Sequence, residues 1–375
     1  MKRSEFSEWC RAGVRLLDGA TGTNLMRAGM PRGVCTEQWV LEHPQTILKL
    51  QREYAAAGSE VLYAPTFCAN RYALKDYGLE ERLHTMNVSL VQLTRRAAGA
   101  SVLVAGDMTT LGRPVEEDGA HSYQALLRVY REQAEALLDG GVDLFAVETM
   151  MGVTESMAAV EAIRSVCDLP ILCTLSVQSD GKAYFDGNAA EAAASLEELG
   201  ADAVGVNCAS GPDQLESVVR MMKNACALPI AAKPNAGLPV MTEHGEAVYP
   251  MDAQQFAEAM ERLVQAGASL IGGCCGTTPE HIRALRRLCT RMESAGNGAP
   301  ARMLQRELAP CDASAADLHV LITRKIGRVF SQRCEAHIGH QRARRSFAGD
   351  GAGRAVIALG NRADHIVGKR AALIK

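Results

Sequence analysis

Over most of the first 290 residues, short apolar runs of strand length alternate with longer stretches whose apolar positions recur at helical spacing. Eight runs read as strands, at 15–18, 60–66, 102–107, 144–148, 171–176, 203–207, 230–233 and 270–273. Helical stretches lie between them, at 46–57, 79–98, 122–139, 153–166, 189–199, 212–226 and 252–266. In one of these, Leu126, Val129, Tyr130, Ala134, Leu137 and Leu138 share a face, as packing against a sheet requires. Gly58, Gly140, Gly141, Gly200 and Gly267 fall where a helix must stop before the next strand. Strands that alternate with helices predict parallel βα units, and eight such units predict a closed (β/α)8 TIM barrel of the α/β class. The alternative is an open doubly wound sheet, which usually has fewer strands and a glycine-rich phosphate loop. Asp18-Gly19-Ala20-Thr21-Gly22-Thr23 matches that loop poorly.

A barrel of this kind carries its active site at the carboxyl ends of its strands. Asp18, Thr66, Asp107 and Glu148 end the first four runs, Cys208 follows the sixth, Asn235 the seventh, and Cys274-Cys275 the eighth. All would ring one mouth. Strand ends are also polar simply because they meet solvent, which accounts equally well for Thr66 and Asp107.

The stretch Gly272-Gly273-Cys274-Cys275-Gly276-Thr277-Thr278-Pro279 stands apart. Neighbouring residues of a strand face opposite ways, so two adjacent thiols can serve one centre only if the backbone leaves strand geometry there. The flanking glycines permit that turn. Thr278 and Pro279 then suit the N-cap and first position of a helix running through His281. A third thiol, Cys208, ends the run Val204-Gly205-Val206-Asn207, and a carboxamide, Asn235, ends the next. Spacing alone leaves open zinc binding, a structural vicinal pair and small core residues.

Composition narrows the setting. A hydrophobic content of 47% suffices for a large core, and the N-terminus has no apolar leader. No stretch reaches the length of a membrane span, so the expectation is a soluble cytoplasmic protein with no membrane or nucleic-acid partner. Twelve scattered cysteines are then free thiols or ligands rather than a disulfide framework. The net charge of −3 conceals an imbalance: residues 1–300 carry −11 and residues 301–375 carry +8. The sign changes at Ser294-Ala295-Gly296-Asn297-Gly298-Ala299-Pro300, which predicts a barrel over 1–293 and a linker with a basic, loosely ordered extension over 294–375. The extension holds Cys311, Cys334, His337 and His340 at no standard metal spacing, and a Gly349–Gly353 run that follows no strand pattern.

With these residues placed, the chain resembles the homocysteine S-methyltransferase family, and within it the homocysteine-binding barrel of cobalamin-dependent methionine synthases. The segments that carry the resemblance are LLDGATGTNL at 16–25, PTF and ANR within 65–71, ALKDYGLEERL at 73–83, VDLFAVET at 142–149, GVNCASGP at 205–212, KPNAGLPV at 233–240 and GGCCGTTPEHI at 272–282. The resemblance implies a zinc-dependent enzyme that moves a methyl group to homocysteine, with Cys208, Cys274 and Cys275 as zinc thiolates and Asn235 as a weak fourth ligand that substrate displaces. It implies that Asp18 and Glu148 receive the amino-acid end of homocysteine, as the pairing of ammonium with carboxylate also requires. Backbone N–H groups of Gly19–Thr23 are candidates for the substrate carboxylate. The methyl donor implied is a methyl-corrinoid on a separate protein, with S-methylmethionine or betaine as alternatives. An alternative of another class is a non-catalytic zinc or redox-sensing barrel. One departure is visible: where the family has a Gly-Pro loop after strand three, this chain reads Gly106-Asp107-Met108-Thr109-Thr110-Leu111-Gly112. No later methionine synthase domain and no cobalamin-binding Asp-x-His-x-x-Gly follows.

Overall fold

The computed structural model describes residues 1–242 and 247–295. In chain order these form α1 (Arg3–Arg11), β1 (Arg15–Leu16), α2 (Gly22–Arg27), α3 (Thr36–Glu42), α4 (Pro44–Ala57), β2 (Val61–Tyr63), α5 (Arg71–Lys75), α6 (Leu83–Ala98), β3 (Leu103–Thr109) and α7 (Tyr123–Gly140). There follow β4 (Leu144–Met150), α8 (Val153–Arg164), β5 (Ile171–Leu175), α9 (Ala189–Glu198), β6 (Ala203–Asn207), α10 (Glu216–Ala225), β7 (Ile230–Lys233), the hairpin β8 (Val240–Met241) and β9 (Ala247–Val248), α11 (Ala253–Gln265), β10 (Ala268–Ile271) and α12 (Pro279–Ala295). The boundaries follow local chemistry. Ser122 sits at the N-cap of α7, Asp252 caps α11 by accepting from Gln254 and Gln255, and Gly58 and Gly141 end α4 and α7 in the left-handed conformation. The predicted helix at 212–226 is divided into a 3-10 turn, Pro212–Gln214, and α10.

Eight parallel strands make one sheet in the order β1-β10-β7-β6-β5-β4-β3-β2, with helices between them, as a TIM barrel requires. The seam between β1 and β2 is joined largely by carboxylates. Glu60 N–H donates to the Leu16 carbonyl at 2.7 Å, the Glu60 carboxylate accepts from Leu16 N–H at 2.9 Å, and the Asp18 carboxylate accepts from Tyr63 N–H at 2.8 Å. Asp18 therefore has a structural duty at the closure.

Strand side chains alternate between two cores, as a period of two dictates. Leu62, Val104, Phe145, Val147, Ile171, Cys173, Val204, Ile230 and Ile271 pack outward under the helices. Val61, Tyr63, Ala105, Leu144, Ala146, Leu172, Ala203, Ala231 and Leu270 fill the barrel interior, and Phe6 and Cys10 of α1 pack against them. Helix α1, which the strand-helix rhythm did not predict, is held there by Arg3, whose guanidinium bonds Asp202 at 2.7 Å and the Gly200 carbonyl at 2.8 Å. The last helix runs to Ala295; Cys311, Cys334, His337, His340 and the Gly349–Gly353 run lie outside the described residues.

Candidate metal centre and substrate pocket

The inward alternation continues past the apolar layer. Two residues beyond Ala105, Ala146, Ala203 and Ala231 along their strands come Asp107, Glu148, Gly205 and Lys233, so the strands themselves carry charge into the barrel at its carboxyl end. In β4 the register against β5 slips by one residue between Val147 and Met150, a bulge, and Thr149 there has φ of 60°. Asn207 holds that bulge. Its carboxamide oxygen accepts from Thr149 N–H at 2.7 Å and from the Thr174 hydroxyl at 2.9 Å, and its amide donates to the Thr149 hydroxyl at 2.7 Å.

Cys208 also lies in the left-handed region, with φ of 50°, a conformation that costs a residue with a Cβ about 1–3 kcal/mol and persists where the surroundings enforce it. Its N–H donates to the Lys233 carbonyl at 3.2 Å. The turn after β10 is tied to both neighbouring strands. Gly273 N–H donates to the Asp18 carbonyl at 3.0 Å, Cys274 N–H to the Pro234 carbonyl at 2.8 Å, and Ala236 N–H to the Cys275 carbonyl at 2.9 Å. A Cβ on Gly272 would stand 2.7 Å from the Asp18 carbonyl oxygen, and one on Gly276, at φ of 83°, 2.3 Å from the Tyr249 ring. Both glycines are required by close approach. Thr277 secures the turn: its hydroxyl donates to the Cys274 carbonyl at 2.8 Å and accepts from Ala20 N–H at 3.0 Å. That Ala20 N–H is thereby engaged. At the start of α12, Thr278 N–H donates to His281 Nδ1 at 3.2 Å, the part a Glu plays in a capping box.

These constraints bring together the sulfurs of Cys208, Cys274 and Cys275, all within 4.8 Å of one another, with Cys208 and Cys275 at 3.6 Å. Hydrogen bonding from the Cys208 and Cys274 thiols, together with the Tyr249 hydroxyl, holds Cys275 well below the ordinary thiol range. Asn235 stands beside them through its neighbour Ala236, and its buried side-chain oxygen has no hydrogen-bond partner. Three thiols so gathered are a donor set of the kind a zinc ion takes.

Beneath the thiols, Lys233 is 3% exposed and faces three groups. Its ammonium lies 3.1 Å from the Asp18 carboxylate, 3.5 Å from that of Glu148, and 3.4 Å from the centre of the Tyr63 ring. Burial alone would pull Lys233 down, but Asp18 and Glu148 outweigh it and leave its pKa well above the usual value. Burial raises Asp18 and Glu148 against the opposing pull of Lys233, and raises Asp107 further, with Glu148 adding repulsion. The Glu148 carboxylate and the Cys275 sulfur interact, as do Lys233 and Cys274, so thiols and charged layer belong to one pocket.

Of the residues expected from sequence, Asp18, Asp107, Glu148, Cys208, Asn235, Cys274 and Cys275 meet here. Thr66 is a clip: its hydroxyl donates to the Asp107 carbonyl at 2.8 Å and accepts from Asp107 N–H at 3.1 Å. Sequence reasoning gave no part to Lys233 or Tyr249. The first is signalled by inward register, whereas Tyr249 comes from the loop after β7 and carries no periodic signal. The unusual loop after β3 is anchored by its own threonine, with the Thr110 hydroxyl and Leu111 N–H both donating to the buried Glu155 carboxylate, at 2.5 and 2.7 Å.

The chain is thus an eight-stranded parallel α/β barrel with three thiols gathered at its carboxyl mouth above a charged pocket. Residues 15–289 match the model of the homocysteine S-methyltransferase family, and the chain belongs to that family. It is 32% identical over 288 residues to the methionine synthases of Mycobacterium leprae and Mycobacterium tuberculosis, a match covering 72% of this chain and 24% of either relative. The chain thus spans about a quarter of the length of those relatives. Among solved structures, the Escherichia coli homocysteine methyltransferase MmuM is similar in its oxidized form, with TM-score 0.63 and 26% identity over 73% of this chain and 95% of that one. Its metallated form gives TM-score 0.61 and 25% identity, covering 73% and 96%. Among the described residues, no helix is long and apolar enough to cross a membrane.

Proposed function

We propose that this protein transfers a methyl group to the sulfur of homocysteine, forming methionine, at a zinc centre held by Cys208, Cys274 and Cys275 with Asn235 as a weak fourth ligand. The observation that carries this reading is the three-thiol cluster set directly over a buried acidic layer. A thiol ordinarily titrates near pKa ~8.5, and a zinc ion would supply the chemistry of deprotonating a coordinated thiol at neutral pH. The protein's own residues fix everything around that event. The acidic layer of Asp18 and Glu148 is complementary to an α-ammonium, which orients an amino-acid thiol with its sulfur toward the cysteines. Tyr249, packed over Gly276 and hydrogen-bonded to Cys275, covers one side of the sulfurs and limits access of water there. No hydrolytic base is needed, because an ionised thiol is itself the nucleophile.

For the methyl donor, the methionine synthase relatives support a methyl-corrinoid carried by a separate protein or domain. The test is methionine formation from homocysteine with methylcobalamin or a methylated corrinoid protein, S-methylmethionine and betaine in parallel, alongside zinc analysis. Turnover with the corrinoid and about one zinc per chain are expected, both lost in Cys274→Ser and Cys275→Ser. Turnover with S-methylmethionine alone would overturn the corrinoid donor. Full zinc retention in both variants would overturn the metal centre.

A further inference from the structure

Among the described residues, six large apolar side chains are exposed, and all six lie in connections that run from a strand to the following barrel helix. Tyr77 follows β2, Tyr184 follows β5, and Leu238, Val240, Met241 and Val248 follow β7, so each belongs to the end of the barrel that holds the thiols. Four of the six sit on one hairpin. Its strands β8 and β9 pair only with each other, Val240 opposite Val248 and Met241 opposite Ala247. Directly paired residues share a face, so Val240 and Val248, 59% and 50% exposed, make one uncovered apolar surface. A two-stranded hairpin is marginal by itself, and this one is held from its base. Met251 N–H donates to the Ala236 carbonyl at 3.0 Å, Ala236 N–H donates to the Cys275 carbonyl at 2.9 Å, and the Tyr249 ring packs on Gly276. The apolar surface is thereby fixed to the cysteine turn.

Size and place narrow the occupant. The exposed parts of these side chains amount to a few hundred Å², short of the ~800 Å² per partner of a stable complex and in keeping with a transient one. A stable second copy of this chain is therefore a poor fit. The chain's own C-terminal extension starts far off, because α12 begins beside the cysteine turn and its 17 residues carry the chain about 25 Å away. A methyl donor, by contrast, has to reach the sulfurs through this mouth and leave again after each transfer. We propose that the hairpin surface of Val240 and Val248, with Leu238 and Met241 beside it, is where the protein carrying the methyl donor docks. This rests on the reading of a protein-borne donor and deepens it by naming the landing surface. In the methionine synthase relatives the matching barrel is about a quarter of a longer chain, and a tether can hold its neighbours close; a donor on a separate protein has to be captured by contact.

The test uses the methylated corrinoid protein that supports methionine formation, with wild type and Val240→Glu compared at full zinc content. A carboxylate placed in an apolar contact should raise KM for the corrinoid protein by about 10–100-fold and leave KM for homocysteine within about twofold. Val248→Glu should act alike, and serves if the first variant does not fold. Unchanged KM for the corrinoid protein in folded, zinc-replete variants would overturn the proposal, as would an equal rise in KM for homocysteine, which would make the hairpin part of the homocysteine pocket. Sedimentation of the protein alone should show no self-association through the hairpin; a dimer that Val240→Glu splits would assign the surface to a second copy and overturn the proposal. Turnover of wild type with S-methylmethionine and with no corrinoid protein would remove the donor reading and this proposal together.

Discussion

The barrel interior has two storeys built on the same strands, and they answer to different demands. The lower is apolar, with Leu144, Leu172 and Leu270 sealed from below by Phe6. The upper, one inward position further along, carries Asp107, Glu148 and Lys233 with the thiols beyond. One periodicity therefore delivers both stability and chemistry, and the change from alanine and leucine to charge marks where folding gives way to function. The lower storey contributes by removing apolar surface from water. The upper contributes little net stability, because desolvating its charges offsets most of what their pairing gains.

The sharpest break between the storeys is Lys233→Met. Removing one partner from a buried charge cluster should cost about 3–5 kcal/mol, seen in denaturant or thermal melts. Asp18 and Glu148 already have raised pKa values in the presence of Lys233, and without it their charged forms become costlier still. Raised carboxyl values mean that stability falls as pH rises above the unfolded value of ~4, so the loss should be largest near pH 8 and shrink toward pH 5. A loss independent of pH would show that Lys233 acts by packing alone.

Leu172→Ala, in the lower storey, should cost about 2–4 kcal/mol by leaving a cavity, with little dependence on pH. Zinc content should stay at wild-type stoichiometry wherever the variant is folded; loss of metal from the folded variant would show that the storeys are not separable. The smallest effect is expected from ending the chain after Ala299. The described barrel closes its sheet and ends in α12 at Ala295, so deletion of residues 300–375 should shift the melt by less than about 1 kcal/mol. Loss of a cooperative transition would make the basic extension part of the fold.

Much of this was legible in the residues. Two strand ranges, 203–207 and 230–233, coincide with β6 and β7, and Gly58 and Gly141 end helices as their position implied. The thiols were legible because adjacent cysteines between glycines force a turn. Helix α1 was not, since its apolar residues Phe6 and Cys10 form too short a stripe to announce a plug for the barrel. The part played by Lys233 was hidden for another reason. A lysine at the end of an apolar run reads as a strand meeting solvent, and only closure of the barrel places its ammonium between Asp18 and Glu148. Whether a polar strand end faces inward depends on register, and the bulge in β4 shows that register can slip where it matters most.

The central claim is that Cys208, Cys274 and Cys275 hold a zinc ion whose remaining position is taken by the homocysteine sulfur. Zinc-edge X-ray absorption of the purified protein, before and after homocysteine, tests it most directly. The account predicts three sulfur ligands and one oxygen or nitrogen ligand in the free protein, and four sulfurs once homocysteine is bound. An unchanged sulfur count on saturation with homocysteine would contradict it.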